Sequence, residues 1–202
     1  MTDGRTHLAH KAEHAADLET GAIVSVTVQD AGAGDTTSLV ETLTTAADHL
    51  AVVAPTGLAE VVADKGYHSD QALVEFADMG VRSYVSEPDG GRRKWQGNAE
   101  ARDAVYPSRR RIRSARGKLL RQRGERLERP SAHLYETGGM RRVHLRGHPN
   151  VLKRPLIHVC GFNLGLLLRQ LSGVGSPWTL RGRAVLACDA LVVALSRAWT
   201  LV

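Results

Sequence analysis

The short apolar run Val61-Val62-Ala63 ends on an acid, Asp64, and Lys65, Gly66, Tyr67 and His68 follow at once. Further on, the stretch from Arg109 to Arg129 carries Arg109, Arg110, Arg111, Arg113, Arg116, Lys118, Arg121, Arg123, Arg126 and Arg129 against only Glu125 and Glu128. Like charges four apart on one helix cost roughly 0.2–0.5 kcal/mol a pair unless an anion offsets them. Phosphate is the matching anion, because arginine forks fit its oxygens and each contact releases condensed counterions. The two glutamates are the anomaly in that stretch. Leu120 and Leu127 mark its apolar stripe, and Glu128 lies beside it, angled towards a sheet.

A carboxylate held there and another at a strand end would repel each other, and a divalent cation relieves the repulsion. Oxygen donors of this kind select magnesium or manganese. Acids converging on phosphate oxygens among arginines suit two-metal phosphodiester chemistry, in which one cation activates the attacking oxygen and the other supports the leaving one. The plainer alternative makes the acids surface or ion-pair groups and the arginines a solvated face.

The elements that must carry these residues follow from pattern. An "ETG" turn separates "AHKAEHAADL" from the β-branched run Ile23–Val28, which predicts an antiparallel hairpin. Asp35 is a candidate cap for a helix to about Val53, striped by Leu39, Val40, Leu43, Ala46, Ala47 and Leu50. Leu58–Ala63 reads as a buried strand ending at Asp64, Ser69 caps a short helix, Gly80 stops it, and "VRSYVSEP" is another strand. Strand, helix and strand in that order predict a parallel unit, and acids at the carboxyl ends of such strands stand where α/β sheets keep their sites. Asp89 to Pro107 reads as a polar, glycine-rich loop before a basic helix. A second helix spans about Asn150 to Leu171, with Pro155 in its first turns, and an amphipathic helix over 184–201 closes the chain.

The 202 residues suffice for one domain with appendages, and 43% hydrophobic with 24% charged residues is ordinary for a folded protein. Lys and Arg number 27 against 21 Asp and Glu, a net charge of +6 concentrated beyond Arg92, which favours a polyanionic partner. Cys160 and Cys188 form no CxxC and read as buried free thiols. The start "MTDGRTHLAHK" has no leader-like apolar core. Leu156–Leu171, interrupted by His158, Asn163 and Arg169, falls short of the ~20 apolar residues of a membrane span. The expected setting is therefore cytoplasmic and nucleoid-associated, with no membrane.

"VVADKGYHS" resembles the segment carrying the second aspartate of DDE transposases of bacterial insertion sequences. "RGERLERPSAHLYETGGMRRVHLRGHPNVLKRPLIHVCGFNLGLLLR" is similar to their segment around the catalytic glutamate, with Arg123 and Glu128 in the Arg-x4-Glu spacing. "GRTHLAHKAEHAADLETGAIV" and "DAGAGDTT" resemble the preceding hairpin and loop, so the likeness runs from about Gly4 to Leu171.

The resemblance implies an α/β, RNase H-like fold: a mixed sheet flanked by helices, with a C-terminal helical extension. It places a catalytic domain at 1–172 and a linker and helix at 173–202. It implies an enzyme that binds double-stranded DNA at its element's terminal repeats, cleaves there and joins the ends to target DNA. Asp64 and Glu128 carry over as ligands of Mg2+ or Mn2+. Lys65, Tyr67, His68 and Arg123 carry over as DNA contacts or supports of the acids. Arg109, Arg110, Arg111, Arg113, Arg129, Arg141 and Arg142 make the basic DNA-binding surface.

The family's first strand, which bears the first catalytic aspartate, lies upstream of the segment matched by "DGRTHLAHK". The expectation is a sheet without that strand and a chain unable to transpose alone, pairing with itself or with another transposase chain. Asp17, Asp3, Asp30 and Asp35 are weak substitutes for the first acid. Ser131 stands where the family has phenylalanine and Tyr135 where many relatives have lysine. Two other readings remain: a non-catalytic basic DNA-binding module, and a zinc site built on His7, His10 and His14 that lacks a cysteine partner.

Overall fold

A computed structural model describes residues 10–30, 32–91, 93–136, 138–140 and 142–173, apart from the side chains of 115–117, 120, 129, 130 and 133. The final helix expected over 184–201, together with Asp3, His7 and Arg141, lies outside the described residues. The chain forms two compact units, residues 1–159 and 160–202.

The hairpin forms as its sequence dictates. Strands β1 (His10–Ala16) and β2 (Ile23–Asp30) pair antiparallel, with His10 opposite Asp30 and a bulge between Ala15 and Ala16. Asp17 ties the turn: its Oδ2 accepts from the Thr20 amide at 2.8 Å and the Thr20 hydroxyl at 2.5 Å. Gly21 has φ +78°, a backbone conformation that favours glycine; a Cβ there would meet only the tip of the exposed Arg126 side chain, at 3.0 Å.

Helix α1 (Asp35–Val53) packs on the hairpin through Leu39, Leu43 and Ala46 and through a buried polar seam. Glu13, 5% exposed, accepts from Ser38 Oγ at 2.5 Å and Thr42 Oγ1 at 3.1 Å and pairs with Lys11 at 2.6 Å. These partners offset the cost of burying a charge. The helix starts at Asp35, as expected, but Asp35 is not its cap: Gly34 holds that position, and the Asp35 carboxylate bonds Lys11 instead.

Strand β3 (Glu60–Ala63), a 3₁₀ turn (Lys65–Tyr67), helix α2 (Asp70–Asp78) and strand β4 (Arg82–Val85) make the parallel unit, Glu60 opposite Arg82 and Ala63 opposite Val85. Ser69 caps α2, its Oγ accepting from the Ala72 amide at 3.0 Å. Val61, Ala63, Leu73, Phe76, Val85 and Val105 form the core beneath it.

The fold is thus mixed α/β, but not one continuous sheet. Among the described residues β1 pairs with β2 alone and β3 with β4 alone.

The loop expected over Asp89–Pro107 ends earlier, because helix α3 (Ala99–Arg123) begins eight residues before Pro107. Asn98 Oδ1 accepts from the Ala101 amide at 3.2 Å, and Ala101, Ala104 and Val105 bury one face, which outweighs the single backbone bond that proline removes. A π-helical segment (Gly124–Glu128) and helix α4 (Arg129–Glu136) continue from α3, so the basic stretch is three pieces rather than one helix.

Helix α5 (His148–Ser172) starts earlier than expected, which puts Pro155 eight residues in, buried with Val151 and Val159. By length and composition α5 is sufficient to cross a membrane, longer than the apolar stretch read from sequence; by itself this is weak ground for a span. Cys160 is exposed rather than buried.

Candidate active site and nucleic-acid face

Asp64 follows directly on β3, where the strand stops and the 3₁₀ turn begins. Its carboxylate is exposed, and Oδ1 accepts from the Lys65 amide at 2.7 Å, capping the turn. Gly66 lies in that turn against Asp35: a Cβ there would sit 3.2 Å from Asp35 Oδ2. Lys65 is exposed, while Tyr67 and His68 are half-buried.

Burial pushes the Tyr67 phenol up, Glu13 and Asp35 adding to the effect, while Lys11 and Arg123 oppose it. The Lys11 ammonium stands 5.4 Å over the Tyr67 ring. Burial alone would lower Lys11, but its bonds to Asp35 and Glu13 prevail and raise it above the ordinary lysine range. Burial, and then Arg93, hold the His68 imidazole below its usual range against Glu87 and Asp70.

Glu128 closes the π-helical segment. Its side chain is 67% exposed, and Oε1 accepts from Arg123 Nη1 at 3.0 Å. The carboxylate therefore points more outward than its place beside the apolar stripe suggests. Arg123 is itself 16% exposed and acts electrostatically on Tyr67, so it links the Glu128 segment with the turn that Asp64 caps. Thr20 O accepts from Arg126 Nη1 at 3.4 Å, which ties the same segment to the hairpin turn.

Each acid thus spends one oxygen on a neighbour, and the other has no partner among the described residues. Such oxygens suit a hard cation that keeps waters and takes its remaining ligands from phosphate. No group of three or more His, Cys, Asp and Glu able to hold a metal ion occurs among the described residues. The histidine set of His7, His10 and His14 is not tested by this, because His7 lies outside the described residues. Asp17 has both oxygens engaged in its turn.

The arginines divide by task. Arg109 grips Glu87 through two bonds, Nε at 2.6 Å and Nη2 at 2.9 Å, and holds its carboxyl below the usual carboxylate range. Arg111 donates to Ser83 O at 3.0 Å and Ser83 Oγ at 3.2 Å, pinning α3 to β4. Arg110, Arg113 and Arg142 are exposed, with no ion pair among the described residues. The side chain of Arg129 is not described.

Sequence reasoning missed the network in which Arg93 bridges Asp70 at 2.5 Å and Glu87 at 2.5 Å beside Arg109. It also missed the π-helical segment. Gly124 inside an otherwise helical run was the available signal, and such segments recur at functional sites.

The arrangement is that of a mixed α/β domain with an acid at the carboxyl end of a parallel strand, a second acid on a basic helical segment, and cations exposed nearby. The family model described as the transposase DDE domain matches residues 2–158. The chain belongs to that family, whose function is DNA transposition and whose chemistry generally uses a divalent cation. Comparison with curated proteins gave no significant match, nor did comparison with solved structures.

Proposed function

We propose that this domain binds duplex DNA at element ends and target and takes part in metal-dependent cleavage and joining of phosphodiesters, on an RNase H-like scaffold. The observation that carries the reading is Asp64 at the carboxyl end of β3, inside the span matched by the family. A bound Mg2+ or Mn2+ would polarise a phosphate oxygen there. Asp64 and Glu128 supply carboxylate oxygens to it. Arg123 holds Glu128 in place through its bond at 3.0 Å. Lys65 and His68 flank the approach to Asp64, and Arg110, Arg113 and Arg142 neutralise the DNA backbone. Arg109 and Arg111 contribute by fixing α3 rather than by touching DNA, and Tyr67 supports the acids through Arg123.

Among the described residues Asp64 and Glu128 stand against the family's three acids, and Asp17 is committed to its turn. On this reading the chain binds DNA and does not join strands alone. The engagement of both acids by neighbours also supports the second reading, a DNA-binding module without catalysis. Mn2+ binding in the presence of duplex DNA separates the two. Loss of a bound ion in Asp64→Asn and in Glu128→Gln is expected for the metal site, and unchanged binding in both variants leaves only the module. Efficient strand joining by the unaided chain would refute its incompleteness.

A further inference from the structure

The 3₁₀ turn that Asp64 caps is not held by its own residues alone. Its middle residue, Gly66, lies over the first turn of α1, where a Cβ would come within 3.2 Å of Asp35 Oδ2. Gly66 is not among the residues with positive φ, so the glycine answers to space rather than to backbone conformation. The Asp35 carboxylate is thereby seated on the backbone of the turn.

Asp35 is fixed in turn by Lys11 of β1. The Lys11 ammonium bonds Asp35 Oδ1 and, at 2.6 Å, Glu13 Oε1, and it also stands 5.4 Å over the Tyr67 ring. With its side chain 29% exposed and two carboxylates on its ammonium, Lys11 is an internal counter-ion rather than a free cation. Charge-assisted bonds are the stronger ones, and the ring face adds to them.

One side chain of the hairpin therefore reaches the turn twice, at Gly66 through Asp35 and at Tyr67 directly. The turn passes both contacts to Asp64. The Tyr67 amide donates to the Asp64 carbonyl at 3.0 Å, and the Lys65 amide donates to Asp64 Oδ1 at 2.7 Å.

We propose that Lys11 is a positioning residue for Asp64: its ammonium clamps Asp35 and Tyr67 and so fixes the turn from which the Asp64 carboxylate projects. The inference rests on the reading of Asp64 as a cation ligand. Replacing a residue that orients a metal ligand typically weakens metal affinity by about tenfold or more.

The test compares Lys11→Met, Asp35→Ala and Lys11→Arg in the full chain. Asp35→Ala leaves the buried Glu13 paired with Lys11, which covers the case in which Lys11→Met does not fold. Hydrogen exchange of the Lys65 and Tyr67 amides should speed up by about tenfold in Lys11→Met and Asp35→Ala, with the α2 amides unchanged and Lys11→Arg near the parent. Mn2+, titrated with duplex DNA present, should bind the first two variants about tenfold more weakly at equal DNA affinity. A turn as protected as the parent's, a speed-up shared equally by α2, or a loosened turn with unchanged Mn2+ affinity would each overturn the proposal. A loosened turn in a protein whose parent takes up no Mn2+ would instead sink the cation-ligand reading and leave the clamp standing.

Discussion

The first half of α3 and the stretch that follows it are equally rich in arginine, yet they use it differently. Up to Ile112 the helix lies against β4 and α2: Ala101, Ala104, Val105 and Ser108 are buried, Arg109 clamps Glu87 and Arg111 clamps Ser83. From Arg113 onward the described cations mostly face solvent, and the ion pairs are local, Arg121 with Glu125 and Arg123 with Glu128. An arginine opposite a strand end or a buried acid is consumed by the fold. One a turn further along is left to meet phosphate.

The sharpest break of this contrast removes the anchor of the packed half. Phe76→Ala, at a side chain with no exposed surface, should cost about 3–5 kcal/mol of unfolding free energy in a denaturant titration. Arg109→Ala comes next. It leaves the partly buried Glu87 to Arg93 alone and should cost about 1 kcal/mol, whereas Arg113→Ala should stay within about 0.5 kcal/mol of the parent. In DNA binding the order reverses: Arg110→Ala and Arg113→Ala should each lower the slope of log affinity against log salt by about 1, and Arg109→Ala, at temperatures where it is folded, should leave it unchanged.

The smallest effects are in pH. Glu87 has a depressed folded pKa, so its stabilisation is complete above the ordinary carboxylate range and is lost as pH falls through the folded value. Arg109→Ala should remove that part of the acid-side loss. Burial likewise depresses His14, so the folded chain binds fewer protons than the unfolded one. Stability should then fall as pH drops through the usual histidine range, and His14→Gln should flatten that fall.

The sequence made local structure legible where one residue decides it. Ser69 capping α2, the ETG turn and Gly80, with φ +70°, ending the helix before β4 all act within a few residues, and all were readable. So was the parallel unit, since β-branched runs around an amphipathic helix leave few alternatives. Long-range partnerships were not. Nothing local tells that Lys11 reaches Asp35, that Arg109 reaches Glu87 or that Arg126 reaches the turn at Thr20. The early start of α3 was hidden because its first turns are polar and precede a proline, while its buried face is made largely of alanines, which carry little periodic signal. Of the candidate site, the two acids and the residues that neighbour them, Lys65 and Arg123, were visible as residues, but not the form of the contacts: a backbone amide of Lys65 for Asp64 and a guanidinium bond from Arg123 for Glu128.

The account turns on Asp64 and Glu128 sharing one cation. Bound Fe2+ can replace Mg2+ and, with ascorbate and peroxide, cut the backbone within reach of the ion. In the presence of duplex DNA, cuts next to residue 64 and next to residue 128 are expected together, both disappearing in Asp64→Asn and in Glu128→Gln. Cuts at one segment that persist when the other acid is replaced would contradict it.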